Sequence, residues 1–340
     1  MTYPVKFYTL YTKPSAESLL SVLQSLRRGH SNFSSLPLSS STDQSTDTIW
    51  IDPAGVAGYL TSIIASSLQW LTDEDRELVW DQASLRISER SGRSAAPAIN
   101  RAFMINNNLT IHLHEPSLTE DNLGLKTWTS SLLLSRQLIT LVKHVPSGTP
   151  RMLELGSGTG LVGLAAASIW QGLLSEVLLT DLPEIVPNLQ HNIDHNASLF
   201  PEQRYDGDSS VKVHCRALNW ADATDTPSEQ YENFHLIVAA DPIYSSDHPR
   251  LLTDTVHRWL APSSSSRFIV ELPLRSRYQR ERADLRQKLE VFMEVIEEGE
   301  EVGYDDWEGA DGQPIEVRCW WSVWKLRDVA EQSKPITSST

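Results

Sequence analysis

The sequence predicts an α/β protein, in which a mostly parallel sheet with an antiparallel hairpin at one edge follows a mainly helical N-terminal region. From about residue 103, short apolar strands alternate with segments of helical length, and this alternation is typical of right-handed crossovers between parallel strands. One strand, at 152–155, runs directly into a glycine-rich turn and then a helix. The last two predicted strands have no helix between them, which indicates an antiparallel pair.

The composition fits a globular protein and excludes several classes. Hydrophobic residues make up 40% of the 340 residues, enough for one large domain or two ordinary ones. The formal net charge of −15 argues against a protein that coats nucleic acid, so no direct nucleic-acid contact is expected. No apolar run reaches the ~18 residues of a membrane span. The two cysteines, Cys215 and Cys319, cannot form a disulfide framework, which favours a reducing compartment; we expect a cytoplasmic monomer.

The helical part is predicted from apolar spacing and helix-start signals. Leu19, Leu23 and Leu26 share one helical face, and Thr72 with Asp75 three residues later resembles a capping box. The predicted organisation is a helical segment at 1–30, a serine-rich loop at 31–48, a helical accessory region at 49–101, an α/β domain at 102–328 and a flexible tail at 329–340.

The α/β part begins with a change to twofold periodicity. Leu109, Ile111 and Leu113 alternate with polar residues and predict a half-buried strand that pairs with 103–105. Further strands are predicted at 152–155, 177–180, 211–215, 234–240, 268–272, 291–298 and 315–326, and helices at 161–169, 184–196, 247–260 and 275–289. His112 and His114 share the polar face of their strand. With no third ligand near them in sequence, they are interpreted as solvent-facing, and no metal site is predicted.

The turn after the 152–155 strand contains Gly156, Ser157, Gly158 and Gly160. Glycine allows a tight turn and a close approach of the backbone to a ligand, and the following helix presents free N–H groups. The turn therefore predicts an adenosine-containing cofactor at the carboxyl ends of the strands. Residues 158–163 also satisfy the G-x-G-x-x-G pattern, so the glycines alone leave a dinucleotide such as NAD open.

Two acidic residues bear on the cofactor. Glu154, two residues before the first glycine, suits a cationic sulfonium better than a pyrophosphate; a buried strand-end carboxylate is the alternative. Asp181, at the end of the next strand, is placed to accept hydrogen bonds from both ribose hydroxyls. Because an NAD enzyme would use such an acid too, Asp181 supports the adenosine and not the remainder of the cofactor.

Around this turn the sequence resembles the class I, seven-strand S-adenosylmethionine-dependent methyltransferases, whose signature is E-x-G-x-G-x-G. The segment FHLIVAADPIY at 234–244 narrows the resemblance, because an Asp-x-x-Tyr after the fourth strand is the hallmark of the family 16 protein methyltransferases, which are mostly lysine-specific. GLKTW at 124–128 and ALNW at 217–220 are similar to the same family. The resemblance covers approximately residues 103–326 and implies a seven-stranded, Rossmann-like sheet.

The resemblance also implies a cofactor, S-adenosylmethionine, with S-adenosylhomocysteine as product. Its binding residues would be Trp128, Glu154, Gly156, Ser157, Gly158, Gly160, Asp181, Leu182, Trp220 and Ala240. Trp220 suits an adenine ring, which needs an aromatic surface. Asp241 and Tyr244 are expected at the methyl-transfer centre, with Asp241 orienting the acceptor amine and Tyr244 lining its channel. Because a carboxylate raises the pKa of a nearby lysine, Asp241 is assigned positioning rather than proton abstraction.

The substrate is suggested by a second resemblance. Residues 80–103 are similar to a stretch ahead of the catalytic domain in the fungal lysine methyltransferases that modify translation elongation factor 2 and, in yeast, also elongation factor 3. This implies a protein-lysine N-methyltransferase whose partner is a translation elongation factor. Two alternatives stay open: an enzyme that methylates a small molecule, and a non-catalytic module that binds the cofactor and acts as an assembly factor.

Charge is concentrated near the C-terminal end of the α/β part. Six basic residues lie at Arg275, Arg277, Arg280, Arg282, Arg286 and Lys288, and are interpreted as a solvated helix face. Residues 291–311 contain nine acidic residues and no lysine or arginine. We expect this stretch to form a loop at the cofactor-side rim, where it either steers a lysine-bearing protein or is only a solvated loop.

Overall fold

The computed structural model describes residues 8–26, 53–89, 98–117, 123–200, 211–227, 233–308 and 314–327. The predicted serine-rich loop at 31–48 and tail at 329–340 lie outside the described residues. The chain divides into two compact units. The described residues of the first unit are 8–26, 53–89, 98–99 and 116–117, and the remaining described residues belong to the second.

The first unit is helical, as the sequence predicts. It contains α1 (Ala16–Ser25), α2 (Pro53–Ala65) and α3 (Asp73–Ser88). The predicted start of α3 is confirmed, because the Thr72 side chain accepts a hydrogen bond from the backbone N–H of Asp75 at 3.2 Å. A buried apolar cluster holds the three helices together, and includes Leu19, Leu23, Leu60, Ile63, Val79 and Ala83.

A two-stranded hairpin of β1 (Ile99–Asn106) and β2 (Leu109–Glu115) follows. Its alternation is as predicted, with Ile111 and Leu113 buried and His112 exposed. β1 begins before residue 102, so the boundary expected between 101 and 102 falls inside a strand.

The main sheet of the second unit has seven strands. They are β3 (Arg151–Leu155), β4 (Glu176–Asp181), β5 (Lys212–Ala217), β6 (Leu236–Ala240), β7 (Arg267–Pro273), β8 (Met293–Glu308) and β9 (Pro314–Leu326). Their order is β5-β4-β3-β6-β7-β9-β8. The first five are parallel, and β9 is antiparallel to both β7 and β8. The predicted fold class is confirmed. The strand order reverses between β3 and β6, and such a switch point is where open α/β sheets bind ligands.

Helices cover both faces of this sheet. On one face lie α4 (Thr129–Leu141), α5 (Leu161–Ile169) and α6 (Val186–His195), and on the other lie α7 (His248–Trp259) and α8 (Gln279–Glu290). Every residue of the central strand β6 is buried, as expected of a parallel strand covered on both sides. None of the described helices is long and apolar enough to cross a membrane.

Asn192 of α6 and Asn196, the residue after its last turn, bind the edge of β2. The Asn192 side chain accepts from the backbone N–H of His114 at 2.7 Å and donates to its carbonyl at 3.1 Å. Asn196 makes the same pair with His112, at 3.0 and 2.7 Å. Each amide therefore replaces the peptide group of a neighbouring strand, which satisfies an otherwise open edge.

This docking brings together histidines that are far apart in sequence. The ring centroids of His114 and His191 are 5.4 Å apart, and those of His112 and His195 are 6.2 Å apart. The sequence interpretation that the strand histidines face solvent did not include these neighbours on α6, although His112 is exposed. Among the described residues, no group of three or more metal-ligating side chains is arranged to hold a metal ion.

The acidic stretch is a strand and not the predicted loop. β8 runs from Met293 to Glu308 and pairs with β9 over almost its whole length. Four of its acidic side chains form ion pairs: Glu294 with Lys325, Glu297 with Lys143, Glu298 with Arg286 and Glu300 with Arg318. Charged side chains on an edge strand also disfavour pairing with other chains. The antiparallel ladder to β9 and these cations, which come from β9, α8 and the residues after α4, explain why so acidic a segment is extended.

Candidate active site

A pocket lies at the carboxyl ends of β3, β4 and β6, next to the switch point. Eight of the ten predicted cofactor residues line it: Trp128, Gly156, Ser157, Gly158, Asp181, Leu182, Trp220 and Ala240. Asp241 and Tyr244 line the same pocket. The two exceptions are Glu154 and Gly160. Five separate segments meet here. Four of them follow parallel strands, whose ends share one edge of the sheet, and the fifth brings Trp128 from the start of α4.

The glycine-rich turn joins β3 to α5 and passes under Trp220. The backbone N–H groups of Gly156 and Ser157 both donate to the Thr180 carbonyl at 3.0 Å. Gly156 and Gly158 have positive φ, at 70° and 56°, which disfavours other residues. A Cβ at Gly156 would lie 3.3 Å from the Trp220 ring. Because Gly156 and Gly158 have no side chains, the space between the turn and Trp220 is open to a ligand.

Gly160 serves packing and does not line the pocket. Its φ is 90°, and a Cβ there would lie 2.7 Å from a Leu189 methyl carbon of α6. The glycine therefore lets the start of α5 approach α6 closely. The predicted contact between Gly160 and the cofactor is not supported by its position.

Asp181 ends β4 with its carboxylate held by the turn. One oxygen accepts from the backbone N–H of Gly158 and the other from that of Leu182, both at 2.7 Å. Burial raises the pKa of Asp181 to about 6, against the opposing effect of these two hydrogen bonds. Each carboxylate oxygen has a second lone pair. An oriented, ionised carboxylate of this kind is suited to a pair of adjacent hydroxyls.

Glu154 does not face the pocket. Its side chain is fully buried, and one carboxylate oxygen accepts a hydrogen bond from the backbone N–H of Gly163 at 2.9 Å. Burial raises the pKa of Glu154 to about 8. The sequence expectation that this carboxylate meets a cationic ligand is therefore not supported, and the alternative of a buried strand-end carboxylate describes its position.

Three aromatic rings form one wall of the pocket. The His248 ring contacts two other rings edge to face. Its centroid lies 5.8 Å from that of Trp220 and 4.1 Å from that of Tyr244. The Nδ1 of His248 lies 3.1 Å from the Pro242 carbonyl oxygen, which fits a donated hydrogen bond. Burial lowers the pKa of His248, so the ring is neutral at pH 7. Sequence reasoning missed His248; its spacing of four residues from Tyr244 at a predicted helix start was the available signal.

Asp241 is held in an uncommon backbone conformation. Its φ is 52°, in the left-handed region that residues other than glycine rarely adopt. The backbone N–H donates to the Glu271 carbonyl at 2.9 Å. The Asp241 side chain is only 7% exposed, and one carboxylate oxygen lies 3.0 Å from an Arg275 guanidinium nitrogen. Strain of this kind concentrates at functional sites, where it aims a side chain.

Arg275 belongs to the site, contrary to the interpretation of the basic cluster as a solvated helix face. It precedes α8 and lines the pocket. Its guanidinium carbon lies 5.0 Å from the Trp128 ring centre, within cation–π range. Arg282 turns back and donates to the Arg275 carbonyl at 2.6 Å, while Arg286 pairs with Glu298. The basic residues have three different roles because the chain turns between Arg275 and α8.

Two buried groups lie beneath Asp241. Glu271 of β7 is fully buried, and burial, then the charge of Glu301, raises its pKa well above the usual value. Cys319 of β9 is also buried, and burial raises the pKa of its thiol. Burial therefore disfavours the charged forms of both groups, whereas Asp241 and Arg275 lie within ion-pair distance. A lone glutamate inside an apolar predicted strand was the sequence signal for Glu271.

Trp128 is positioned by the segment before it. The backbone N–H of Thr127 donates to the Glu115 carboxylate at 3.0 Å, and the Thr127 hydroxyl lies 2.7 Å from that of Thr159. These contacts tie residues 127–128 to the end of β2 and to the glycine-rich turn. Trp128 then enters the pocket at the start of α4.

The residues present fit an adenosine-containing cofactor. The Asp181 carboxylate would suit ribose hydroxyls, the Trp220 ring would suit a purine, and the turn at 156–158 has no side chain at its two glycines that would separate its backbone from a ligand. Asp241 and Tyr244 lie at the same pocket, where a second reactant can approach. This arrangement can hold a cofactor and align an acceptor next to it.

Comparisons with known proteins agree with this geometry. A family model described as lysine methyltransferase matches residues 105–298. The chain is 36% identical over 276 residues to protein-lysine N-methyltransferase rrg1 of Schizosaccharomyces pombe, covering 79% of this chain and 85% of rrg1. It is 38% identical over 271 residues to protein-lysine N-methyltransferase EFM2 of Saccharomyces cerevisiae, covering 74% of this chain and 62% of EFM2. Among solved structures, precorrin-6y C5,15-methyltransferase from Geobacter metallireducens superimposes with a TM-score of 0.37 at 12% identity, over 57% of this chain and 88% of that one.

Proposed function

Because the chain belongs to the lysine methyltransferase family and is a protein-lysine N-methyltransferase, we propose that its substrate is a translation elongation factor, with elongation factor 2 first and elongation factor 3 second. Membership of the family that the Asp-x-x-Tyr motif predicts is confirmed, and it argues against the NAD alternative. The observation that carries the proposed transfer is that Asp241 and Tyr244 line the same pocket as Asp181 and Trp220. The choice of target rests on the resemblance of residues 80–103 to fungal enzymes that modify these factors.

The family and fold imply S-adenosylmethionine as cofactor. When bound, it supplies a methyl group activated by a sulfonium and leaves as S-adenosylhomocysteine. Asp181 would hold the ribose hydroxyls, Trp220 would pack on the adenine, and Gly156 and Gly158 would let the backbone approach the remainder. Trp128, Ser157, Leu182 and Ala240 complete the proposed cofactor site.

The acceptor lysine has to arrive as a neutral amine with its lone pair aligned to the methyl group. Asp241 orients the amine by accepting a hydrogen bond from it. Tyr244 lies at the pocket mouth and removes water from the amine, which lowers the pKa of a lysine. Burial, then the charges of Asp181 and Asp241, raises the pKa of Tyr244. Its hydroxyl therefore stays protonated and contributes no charge to the acceptor site.

The test uses the full-length protein, tritiated S-adenosylmethionine and elongation factors 2 and 3 purified from a strain that lacks the gene. We expect wild-type protein to label elongation factor 2 on a lysine identified by mass spectrometry. Asp241→Ala should reduce labelling at least 100-fold and keep affinity for S-adenosylhomocysteine. Asp254→Asn, at an exposed ion pair on α7, is the matched control and should label normally.

Other outcomes separate the alternatives. Label that appears only in the low-mass fraction of a lysate would favour a small-molecule substrate. Tight binding of S-adenosylhomocysteine with no label in any fraction would favour a non-catalytic binding module. A translation-factor substrate also implies a cytoplasmic location, which cell fractionation checks.

A further inference from the structure

The Asp241–Arg275 ion pair stands at the end of the pocket where the acceptor is expected. We propose that Arg275 is a positioning residue: its charge offsets that of Asp241, so that the acceptor lysine is bound as a neutral amine. This inference rests on the proposed transfer to lysine. It concerns the protonation state of the acceptor, which the family assignment leaves open.

The guanidinium of Arg275 is held from several sides. It lies 3.0 Å from the Asp241 carboxylate and 5.0 Å from the centre of the Trp128 ring. The Arg275 backbone is tied down as well, because Arg282 donates to its carbonyl at 2.6 Å and to that of Pro273 at 3.3 Å. These contacts place the charge of Arg275 beside Asp241 at the pocket.

Arg275 matters because the charge beside the acceptor lysine decides whether that lysine keeps its proton. A carboxylate that is buried without a cation attracts an ammonium group and raises the pKa of a lysine placed beside it. Guanidinium is always charged and cannot give up its proton in a protein. With Arg275 present the pair is neutral overall, so an incoming ammonium gains little from Asp241. The neutral amine can still donate a hydrogen bond to the carboxylate and be aligned by it.

The other groups that face Asp241 do not replace this charge. Tyr244, Glu271 and Cys319 interact electrostatically with Asp241, Glu301 acts on Glu271, and Asp181, His248 and Lys126 line the same pocket. Burial raises the pKa values of Tyr244, Glu271, Glu301 and Cys319 and lowers that of His248. Asp181 is engaged by two backbone N–H groups, and Lys126 is paired with Glu115.

The test compares kcat as a function of pH for four proteins, with elongation factor 2 as substrate. In Arg275→Gln the negative charge of Asp241 is no longer offset, so the pKa of the bound lysine rises and its ammonium proton has to leave before transfer. We expect the apparent pKa of kcat to rise by about one unit or more, since an opposite charge at this distance shifts a pKa by about 1 to 3 units. The loss is then about tenfold at neutral pH and is recovered in alkaline buffer. Arg275→Lys should keep the wild-type profile.

The double variant Asp241→Asn, Arg275→Gln separates charge from structure. It contains neither charge, so its apparent pKa should return to the wild-type value although its rate is lower at every pH. A fall of equal factor at all pH values in Arg275→Gln, with no displacement of the profile, would overturn the proposal. Thermal unfolding and calorimetry with S-adenosylhomocysteine show whether each variant is folded.

A second readout needs no protein substrate. Butylamine, a mimic of the lysine side chain, is titrated by NMR in the presence of S-adenosylhomocysteine near pH 7, where it is an ammonium ion. We expect Arg275→Gln to bind it at least several-fold more tightly than wild type does. Equal affinities contradict the role of Arg275, whereas a wild-type enzyme that labels no protein contradicts only the proposed function.

Discussion

The carboxylate of Glu154 accepts a 2.9 Å hydrogen bond from the backbone N–H of Gly163, the third residue of α5. Such N–H groups at a helix start have no partner within the helix. Glu154 therefore satisfies the helix that follows the glycine-rich turn and fixes the turn between two elements. In this protein, the acidic residue two positions before the first glycine of the signature therefore stabilises the glycine-rich turn through α5 and does not line the pocket.

Glu154 should make stability depend on pH. Its pKa is about 8 in the folded protein and 4.5 is the ordinary value. Its contribution is complete below about pH 4.5, falls as the pH rises towards 8 and is constant above that, because only the unfolded chain ionises in this interval. Relative to wild type, Glu154→Gln should gain a few kcal/mol between pH 5 and pH 8. Urea unfolding at several pH values measures this, with the exposed Glu184→Gln as control; a pH-independent difference would contradict it.

Asp181 should make cofactor binding depend on pH. Its pKa of about 6 means that the carboxylate becomes protonated as the pH falls through 6, and a protonated acid is a weaker acceptor for ribose hydroxyls. Because about one carboxylate in ten is still ionised one pH unit below the pKa, affinity for S-adenosylhomocysteine should fall by up to about tenfold between pH 8 and pH 5. Asp181→Asn should bind weakly at both. Calorimetry at both pH values measures the affinities. An equal loss of affinity between pH 8 and pH 5 in Asp181→Asn would exclude Asp181 as the cause.

Trp220 should contribute to cofactor affinity through its ring. Stacking of a base on an aromatic side chain is worth about 1 to 3 kcal/mol, so Trp220→Ala should weaken S-adenosylhomocysteine binding about 5- to 150-fold. Trp220→Phe should recover most of it. Trp320→Ala is the matched control, because that indole does not line the pocket and donates to Glu298 at 3.0 Å. Equal calorimetric affinities for wild type and Trp220→Ala would refute the assignment.

Alanine substitutions at Gly160 and Gly148 distinguish the cost of backbone strain from the cost of steric crowding. Their φ values are nearly equal, at 90° and 89°, yet a Cβ at Gly160 would lie 2.7 Å from Leu189, whereas a Cβ at Gly148 meets no atom within 4 Å. Gly148→Ala should cost about 1 to 2 kcal/mol from the left-handed conformation alone. Gly160→Ala should cost about 1 to 3 kcal/mol more, because it also overpacks the contact with α6. Urea unfolding compares the two; equal losses would mean that the crowding is relieved without cost.

The sequence by itself determined the order of the elements and the edge of the sheet where the pocket forms. Twofold and helical periodicities identified the strands and helices, and the absence of a helix before β9 indicated the antiparallel edge. The glycine-rich turn and Asp181 were predicted at the carboxyl ends of the strands, and the resemblance to the methyltransferase family added Trp220 and Asp241 to the same pocket. These inferences succeed because they depend on local spacing and on one rule of sheet geometry.

Only the tertiary structure decided which charges and rings complete the site. Arg275 reaches Asp241 from 34 positions away, and His248 meets Trp220 through the placement of α7. Glu154 turned towards α5, and the acidic stretch became β8, because cations on other elements, such as Lys143 for Glu297, lie opposite it. Ion pairs and ring contacts depend on distances of a few ångströms between distant segments. Strand register and helix docking set those distances. Local patterns in the amino-acid sequence do not specify them.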